Sequence, residues 1–241
     1  MNIEAIETKD LFFQAAFSID LALFTYTENK VKILLQGKDE FREGQKIGLV
    51  GKLIHPTEDI PKVLKELSSD TFDQDEFYFK QLRAFTELGR HPLGRVITIA
   101  YYGLIPFEKV RLDPMSNAQW YDIDRIPELS YDHNKIVQVA KHRFRKGLLR
   151  HPTVFEMLPE QFILRDIINV YEHAFEQEID APNFRRQLRE SGLLEPCGFL
   201  PSMDGRMGRR PQLFKYLRNR YETQRKEVKI GFNPIAKGPI V

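Results

Sequence analysis

The sequence predicts an α+β protein of two domains, residues 1–150 and 151–241, and three observations predict it. Strand-like runs dominate the first ~130 residues, where β-branched and aromatic residues alternate between turn signals. After Gly147 the texture changes to a proline-marked connector followed by helical spacing. The charge also changes sign: residues 1–140 carry 17 Lys+Arg and 22 Asp+Glu, net −5, whereas residues 141–241 carry 19 and 12, net +7.

The elements follow in order. Ala16–Tyr26, AFSIDLALFTY, alternates as a strand does; Glu28-Asn29-Lys30 is a turn signal, and Val31–Gln36 returns as the second arm of a hairpin. In TEDIPKVLKELSSD, Ile60, Val63, Leu64 and Leu67 recur at helical spacing. Thr57 or Asp59 can cap that helix, and Pro61 is tolerated in its first turn, where an N–H would have no partner. Arg95–Pro106 is a long apolar strand, Ala118–Tyr121 a short one, and a second helix is expected from about Asn134 to Lys146.

Beyond the connector RHPTVFEMLPEQF, an apolar stripe of Ile163, Ile167, Val170, Tyr171 and Ala174 marks a helix over Phe162–Glu176. Pro182 opens a short basic helix, NFRRQLRE, stopped by Ser191-Gly192. LLEP and QLFKYL then read as two strands flanking a loop rich in Gly, Arg and Pro.

Composition excludes several classes. With 42% hydrophobic and 29% charged residues the chain is neither disordered nor fibrous. No apolar run approaches the roughly 20 residues of a membrane helix, so no membrane partner is expected. The acidic start MNIEAIETKDLFF does not read as a signal peptide. The single Cys197 has no CxxC companion, which fits a reducing cytoplasm and argues against a cysteine zinc site. Six histidines, scattered singly, make no metal site of their own. The basic C-terminal portion suits a phosphate-binding module or, equally, a solvated basic face.

Gly51–Phe72, GKLIHPTEDIPKVLKELSSDTF, resembles a degenerate Nudix box: a glycine, five residues, a glutamate, seven residues, then Arg-Glu-apolar-any-Glu-Glu-any-Gly. Carboxylates one helical turn apart share a face and can hold hard divalent cations that bridge a diphosphate. Lys65, Glu66, Leu67 and Asp70 fall at the Arg, Glu, apolar and last-Glu places. Thr57, Ser69 and Phe72 stand where the family needs Glu, Glu and Gly, and Glu58 fits only with a one-residue shift of register. The remnants Glu58, Glu66 and Asp70 are a broken set, so neither a catalytic residue nor a bound metal is expected. An amphipathic surface helix with solvated acids is the plainer account of this segment alone.

The next stretch, Phe77–Pro106, is similar to the corresponding part of the Nudix-related transcriptional regulators, the NrtR/AraR-like family, through Arg90, Pro92, Gly94 and Arg95 of the loop ELGRHPLGR. His91 replaces a family aspartate. Two arginines on one loop can clamp a phosphate or pair with acids at a subunit interface, and structural pairing is the expected fate of at least one. Tyr131–Ala140 resembles the family's Asp-His start to its last Nudix helix, with Asp132 a candidate cap and His133 either packing locally or facing the pocket. Arg90, Arg95 and His133 are accordingly the candidate effector-binding residues.

The densest similarity lies in FILRDIINVY and NFRRQLRESG, which resemble the family's helix-turn-helix. There Phe184 and Leu188 can face the core, leaving Arg185, Arg186 and Arg189 largely to solvent, with Asn183 at the end that enters a major groove. A wing follows, in which Arg206, Arg209 and Arg210 can reach phosphates or a narrow minor groove. An exposed basic helix without a partner is the bland alternative.

The resemblance implies an N-terminal Nudix-like α/β/α sandwich with a mixed sheet, a C-terminal winged helix-turn-helix, and a homodimer reading a palindromic double-stranded operator. It also implies a regulator, as a repressor, with a small-molecule effector such as ADP-ribose, a nucleotide sugar or a sugar. No cofactor is expected. Mg²⁺ enters only under the alternative of an active Nudix hydrolase with an appended basic domain; a non-specific nucleic-acid binder is a third reading.

Overall fold

The structure is a computed structural model and describes residues 15–38, 46–72, 77–92, 94–201 and 210–224. Ala16–Thr27 (β1) and Lys30–Lys38 (β2) form the expected hairpin. Glu28 and Asn29 both adopt positive φ, 52° and 61°, the turn geometry that matches the right-handed twist of the two arms. Lys46–Leu53 (β3), Tyr78–Phe85 (β4), Val96–Leu104 (β5) and Ala118–Asp122 (β6) complete a six-stranded sheet in the order β4-β5-β1-β3-β2-β6. It is mixed: β1 runs parallel to β5 and antiparallel to β2 and β3.

A helix covers each face of this sheet, as strand alternation dictates. Ile19, Leu21 and Leu23 of β1 pack with Val63, Leu64, Leu67 and Phe72 of Ile60–Phe72 (α1). Ala22 and Phe24 point the other way, toward Ile136, Val137, Ala140 and Phe144 of His133–Arg150 (α2). Asp59 caps α1 by accepting from the Lys62 N–H at 2.9 Å, and Pro61 sits in the first turn as expected. The predicted α/β/α sandwich is therefore present.

In the N-terminal portion and the connector, three features differ from expectation. β3 was not anticipated, because Gly48 and Gly51 dilute its apolar alternation. Helix α2 continues past Lys146 to Arg150. Its Gly147 does not end the helix but admits close neighbours: a Cβ there would lie 3.3 Å from Thr153 Oγ1 and 3.6 Å from Tyr102 Oη. The connector is not a linker but core, since Val154, Phe155, Met157 and Leu158 are all buried. One continuous apolar cluster runs from Phe144 and Leu148 through these residues to Tyr171 and Phe184.

The C-terminal portion begins with a two-residue strand, Phe162–Ile163 (β7), so the expected helix starts two residues later, at Leu164–Phe175 (α3). Ala181–Glu190 (α4) follows, then Leu194–Phe199 (β8), Gln212–Tyr216 (β9) and Arg218–Gln224 (α5). β7, β9 and β8 form a three-stranded antiparallel sheet. Helix-turn-helix plus β-hairpin is the winged-helix arrangement. Gly192, at φ +65°, supplies the left-handed residue that ends α4.

Candidate functional site

The candidate effector site opens at the N-terminal end of β1. Ser18 and Asp20 lie on the same face of that strand, beside Gly51 and Lys52 of β3, Arg90 and His91 of the β4–β5 loop, Thr98 of β5, and Tyr131 and His133 at the start of α2. Together they line an open cleft of about 70 Å³. Gly51 is required by close approach: a Cβ would lie 2.2 Å from Asp20 Oδ1 and 2.5 Å from the Ile19 carbonyl oxygen.

His133 both packs locally and lines the cleft. Its Nδ1 accepts the Leu49 N–H at 2.9 Å while the ring lines the cleft, and Nε2 faces Asp20 Oδ2 at 3.6 Å. Accepting at Nδ1 fixes the tautomer, with the proton on Nε2 toward the acid. Tyr131 holds φ 57°, unusual for a bulky side chain, and its ring lies between those of His91 (4.7 Å) and His133 (5.7 Å).

Arg90 and Arg95 have different fates. Arg90 is buried at the cleft, doubly bonded to Asp132 and donating to Thr98 Oγ1. Asp132 stands at the N-cap position of α2 but makes no side-chain cap bond, because its carboxylate goes to Arg90. Arg95 is exposed, does not line the cleft, and donates to the backbone carbonyls of Thr86 and Glu87.

The box remnants lie beside the cleft, on and before α1, and do not suit a divalent ion. Lys52 Nζ reaches Glu66 Oε2 at 2.7 Å and Glu58 Oε1 at 3.7 Å, and Lys62 is 3.6 Å from Glu66 Oε1. Glu58 and Glu66 are thus each paired with an ammonium group, and the Asp70 charge also acts on Lys52. The Lys52 hydrogen bond holds Glu66 below the usual carboxylate range, and the same bond raises Lys52. Asp70 is exposed on the last turns of the helix. Among the described residues no group of three or more His, Cys, Asp or Glu is placed to hold a metal.

The opposite end of the same β1 face meets the C-terminal portion. Tyr26 Oη donates to Asp166 Oδ1 (3.1 Å) and accepts from Asn169 Nδ2 (2.9 Å), which also reaches Asn29 Oδ1 at 3.3 Å. His173 Nε2 donates to the Asn29 carbonyl (3.1 Å), and Nδ1 is 3.0 Å from Asp124 Oδ2. Burial raises the Tyr26 phenol far above its ordinary range. The hairpin turn is thereby bolted to α3.

In α4, Phe184 and Leu188 are buried, and Phe184 packs on Tyr171 with ring centroids 4.8 Å apart. Asp180 caps the helix through the Asn183 N–H (3.2 Å). Arg186 and Arg189 are exposed; Arg185 and Asn183 are half-buried. Arg186 Nη2 donates to Asn183 Oδ1 at 2.9 Å and Nη1 lies 3.6 Å from Glu190. Arg210 is exposed at the foot of the wing, its guanidinium 5.9 Å from the Phe199 ring; Arg206 and Arg209 lie outside the described residues.

Sequence reasoning had not singled out Ser18, Asp20, Lys52 or Thr98. Asp20 left a signal, an acid in the middle of an otherwise apolar strand. Lys52 left none, because a lysine beside a glycine reads as surface.

Residues 154–216 match the family described as the NrtR DNA-binding winged helix domain. Over 213 residues the chain is 22% identical to the ADPR responsive transcriptional repressor NtrR of Acinetobacter baylyi, covering 85% of this chain and 83% of that protein. The fold is similar to Shewanella oneidensis NrtR complexed with a 27mer DNA (TM-score 0.71, 22% identity, 83% of this chain and 93% of that one). It is also similar to a MutT/nudix family protein from Enterococcus faecalis (TM-score 0.66, 16% identity, 90% and 94%). The architecture is thus a Nudix-like domain followed by a winged helix.

Proposed function

With an NrtR-type DNA-binding winged helix in residues 154–216 as the premise, we propose that this chain is a transcriptional repressor whose Nudix-like domain senses a small metabolite. The observation that carries the reading is helix α4: its apolar residues Phe184 and Leu188 are sunk into the core, which leaves Arg186 and Arg189 on the outer side of a winged helix. Such a helix presents its N-terminal residues to base edges and its arginines to phosphates.

The protein acts in the cytoplasm as a homodimer on a palindromic operator, because a two-fold protein matches two half-sites. No helix of the described residues is long and apolar enough to cross a membrane. ADP-ribose is the first effector to test, given the ADPR responsive relative. The cleft is open and smaller than the roughly 300–1,000 Å³ of ordinary ligand sites, so the effector seats one end there and extends outward past His91. Effector control requires different affinity for two dimer conformations. Hydrolysis draws less support, since Glu58 and Glu66 are tied to Lys52.

The test is an electrophoretic mobility shift on DNA adjoining the gene, with and without ADP-ribose. Sequence-preferring binding that ADP-ribose changes supports the proposal. Equal affinity for unrelated DNA, or rapid Mg²⁺-dependent cleavage of ADP-ribose, would overturn it.

A further inference from the structure

We propose that Lys52 is a tethered cation standing where a divalent ion would sit among the carboxylates of an intact box, and that the cleft therefore takes a phosphate-bearing effector without metal. This rests on the reading of the cleft as the effector site.

The geometry supports it from three sides. Lys52 directly follows Gly51, whose lack of a Cβ lets β3 lie against Asp20, and its ammonium reaches across to Glu66 on α1 and toward Glu58 before it. With Lys62 on the far side of Glu66, both Glu58 and Glu66 are already paired with ammonium groups, and Asp70 adds its charge to the field that holds Lys52. A hard divalent ion draws its affinity from uncompensated oxygen charge, and here it would first have to expel an ammonium from a 2.7 Å hydrogen bond. Lys52 borders the cleft through Gly51 and Leu53, but the register pairs it with Ile19, so its ammonium lies with Glu66 on the α1 face rather than with Asp20 and Thr98 on the other.

Two consequences separate this arrangement from a merely damaged one. Bare carboxylates near the cleft would repel a diphosphate, whereas the lysine offsets part of their charge and lessens that repulsion. An ammonium, however, does not lower the pKa of a water as a bound metal does, so binding is not followed by hydrolysis.

The experiment has two arms on the full-length protein. In the first, Mn²⁺ binding is followed by electron paramagnetic resonance. Wild type is expected to leave the free Mn²⁺ signal unchanged, Lys52→Met to bind at least tenfold more tightly, and Glu66→Gln in that background to abolish the gain. Equal Mn²⁺ binding by wild type and Lys52→Met would overturn the proposal. In the second, calorimetry measures ADP-ribose affinity, expected to agree within twofold between EDTA and excess Mg²⁺. Lys52→Met should make the affinity depend on Mg²⁺, and Lys52→Arg, which keeps the charge and guards against a folding artefact, should stay independent of it. A tenfold loss of wild-type affinity in EDTA would also overturn the proposal. If wild type binds no ADP-ribose in either buffer, the effector assignment falls, and the Mn²⁺ arm alone decides Lys52.

Discussion

Arg90 grips Asp132 with two hydrogen bonds, 2.6 Å from Nη2 and 3.0 Å from Nε, and the two side chains are only 5% and 9% exposed. The pair joins the β4–β5 loop to the N-cap residue of α2, and Thr98 takes a further donor of the same guanidinium. Asp132 forgoes capping its own helix to make it. An arginine that sequence reasoning offers to a ligand is therefore part of the wall that shapes the cleft.

Removing one partner should be costly, because it strands a buried charge. Arg90→Ala is expected to lose about 3–5 kcal/mol, which for a chain of this size lowers Tm by roughly 6–20 °C. Arg90→Lys should recover only part, since an ammonium cannot reproduce the planar fork. Arg90→Met combined with Asp132→Leu should melt closer to wild type than either single change. Thermal melts decide it: an Arg90→Ala variant with wild-type Tm and lost ADP-ribose affinity would show that this arginine serves the ligand instead.

Much of this protein was legible because local chemistry and global fold agree. The β1–β2 hairpin declares itself through Glu28-Asn29, and α4 through Pro182 and Ser191-Gly192. What stayed hidden depends on contacts distant in sequence. Gly147 reads as a helix end until Tyr102 and Thr153 are seen crowding it. The connector reads as exposed because its prolines are visible and the partners of Phe155, which include Tyr216 at 4.2 Å between centroids, are not. The cleft suffers most. Its members come from β1, β3, a loop, β5 and α2, and only the sheet register that sets Asp20 opposite Gly51 brings them together.

The hydroxyl of Tyr26 is the next target. It links Asp166 and Asn169 of α3 to the strand whose other end lines the cleft. Tyr26→Phe keeps the packing but leaves a buried Asn169 donor with only the longer Asn29 contact, at a cost of about 1–3 kcal/mol. The same variant should bind operator and ADP-ribose separately yet show weakened coupling between them. Mobility shifts across an ADP-ribose titration measure that, and full wild-type coupling would rule out this joint as the transmitting contact.

A pH dependence follows from Glu176, which ends α3 and receives Lys141 Nζ at 3.2 Å and Arg145 Nη2 at 2.5 Å from α2. The Lys141 hydrogen bond, then its charge, lowers the Glu176 pKa. A carboxylate with a depressed folded pKa stabilises the protein above its unfolded value, and the gain is lost as pH falls through the folded one. Because Glu176 is more than half exposed, the contribution should stay near ~0.5 kcal/mol. Glu176→Gln should therefore melt slightly below wild type at pH 7, with the difference closing as the pH is taken below the ordinary glutamate range. A constant difference down to pH 3 would assign the effect to packing.

The DNA-facing side chains divide into two kinds by what they can touch. Arg186 and Arg210 are exposed and long enough to neutralise phosphates, so Arg186→Ala and Arg210→Ala should each weaken binding to every sequence alike and lower the salt slope by about 1. Asn183 sits at the N-terminal end of α4, where Arg186 fixes its amide by donating to Oδ1. That bond uses Oδ1 and leaves the Nδ2 donors for a base edge, and Asn183 carries no net charge of its own. Asn183→Ala should accordingly relax sequence preference, by about 1–3 kcal/mol of discrimination at one position, and leave the salt slope where it was. Anisotropy titrations at several salt concentrations, on operator and scrambled DNA, separate the two effects. If Asn183→Ala changes the slope while Arg186→Ala changes only specificity, the roles are reversed, and Arg186 rather than Asn183 reads the base.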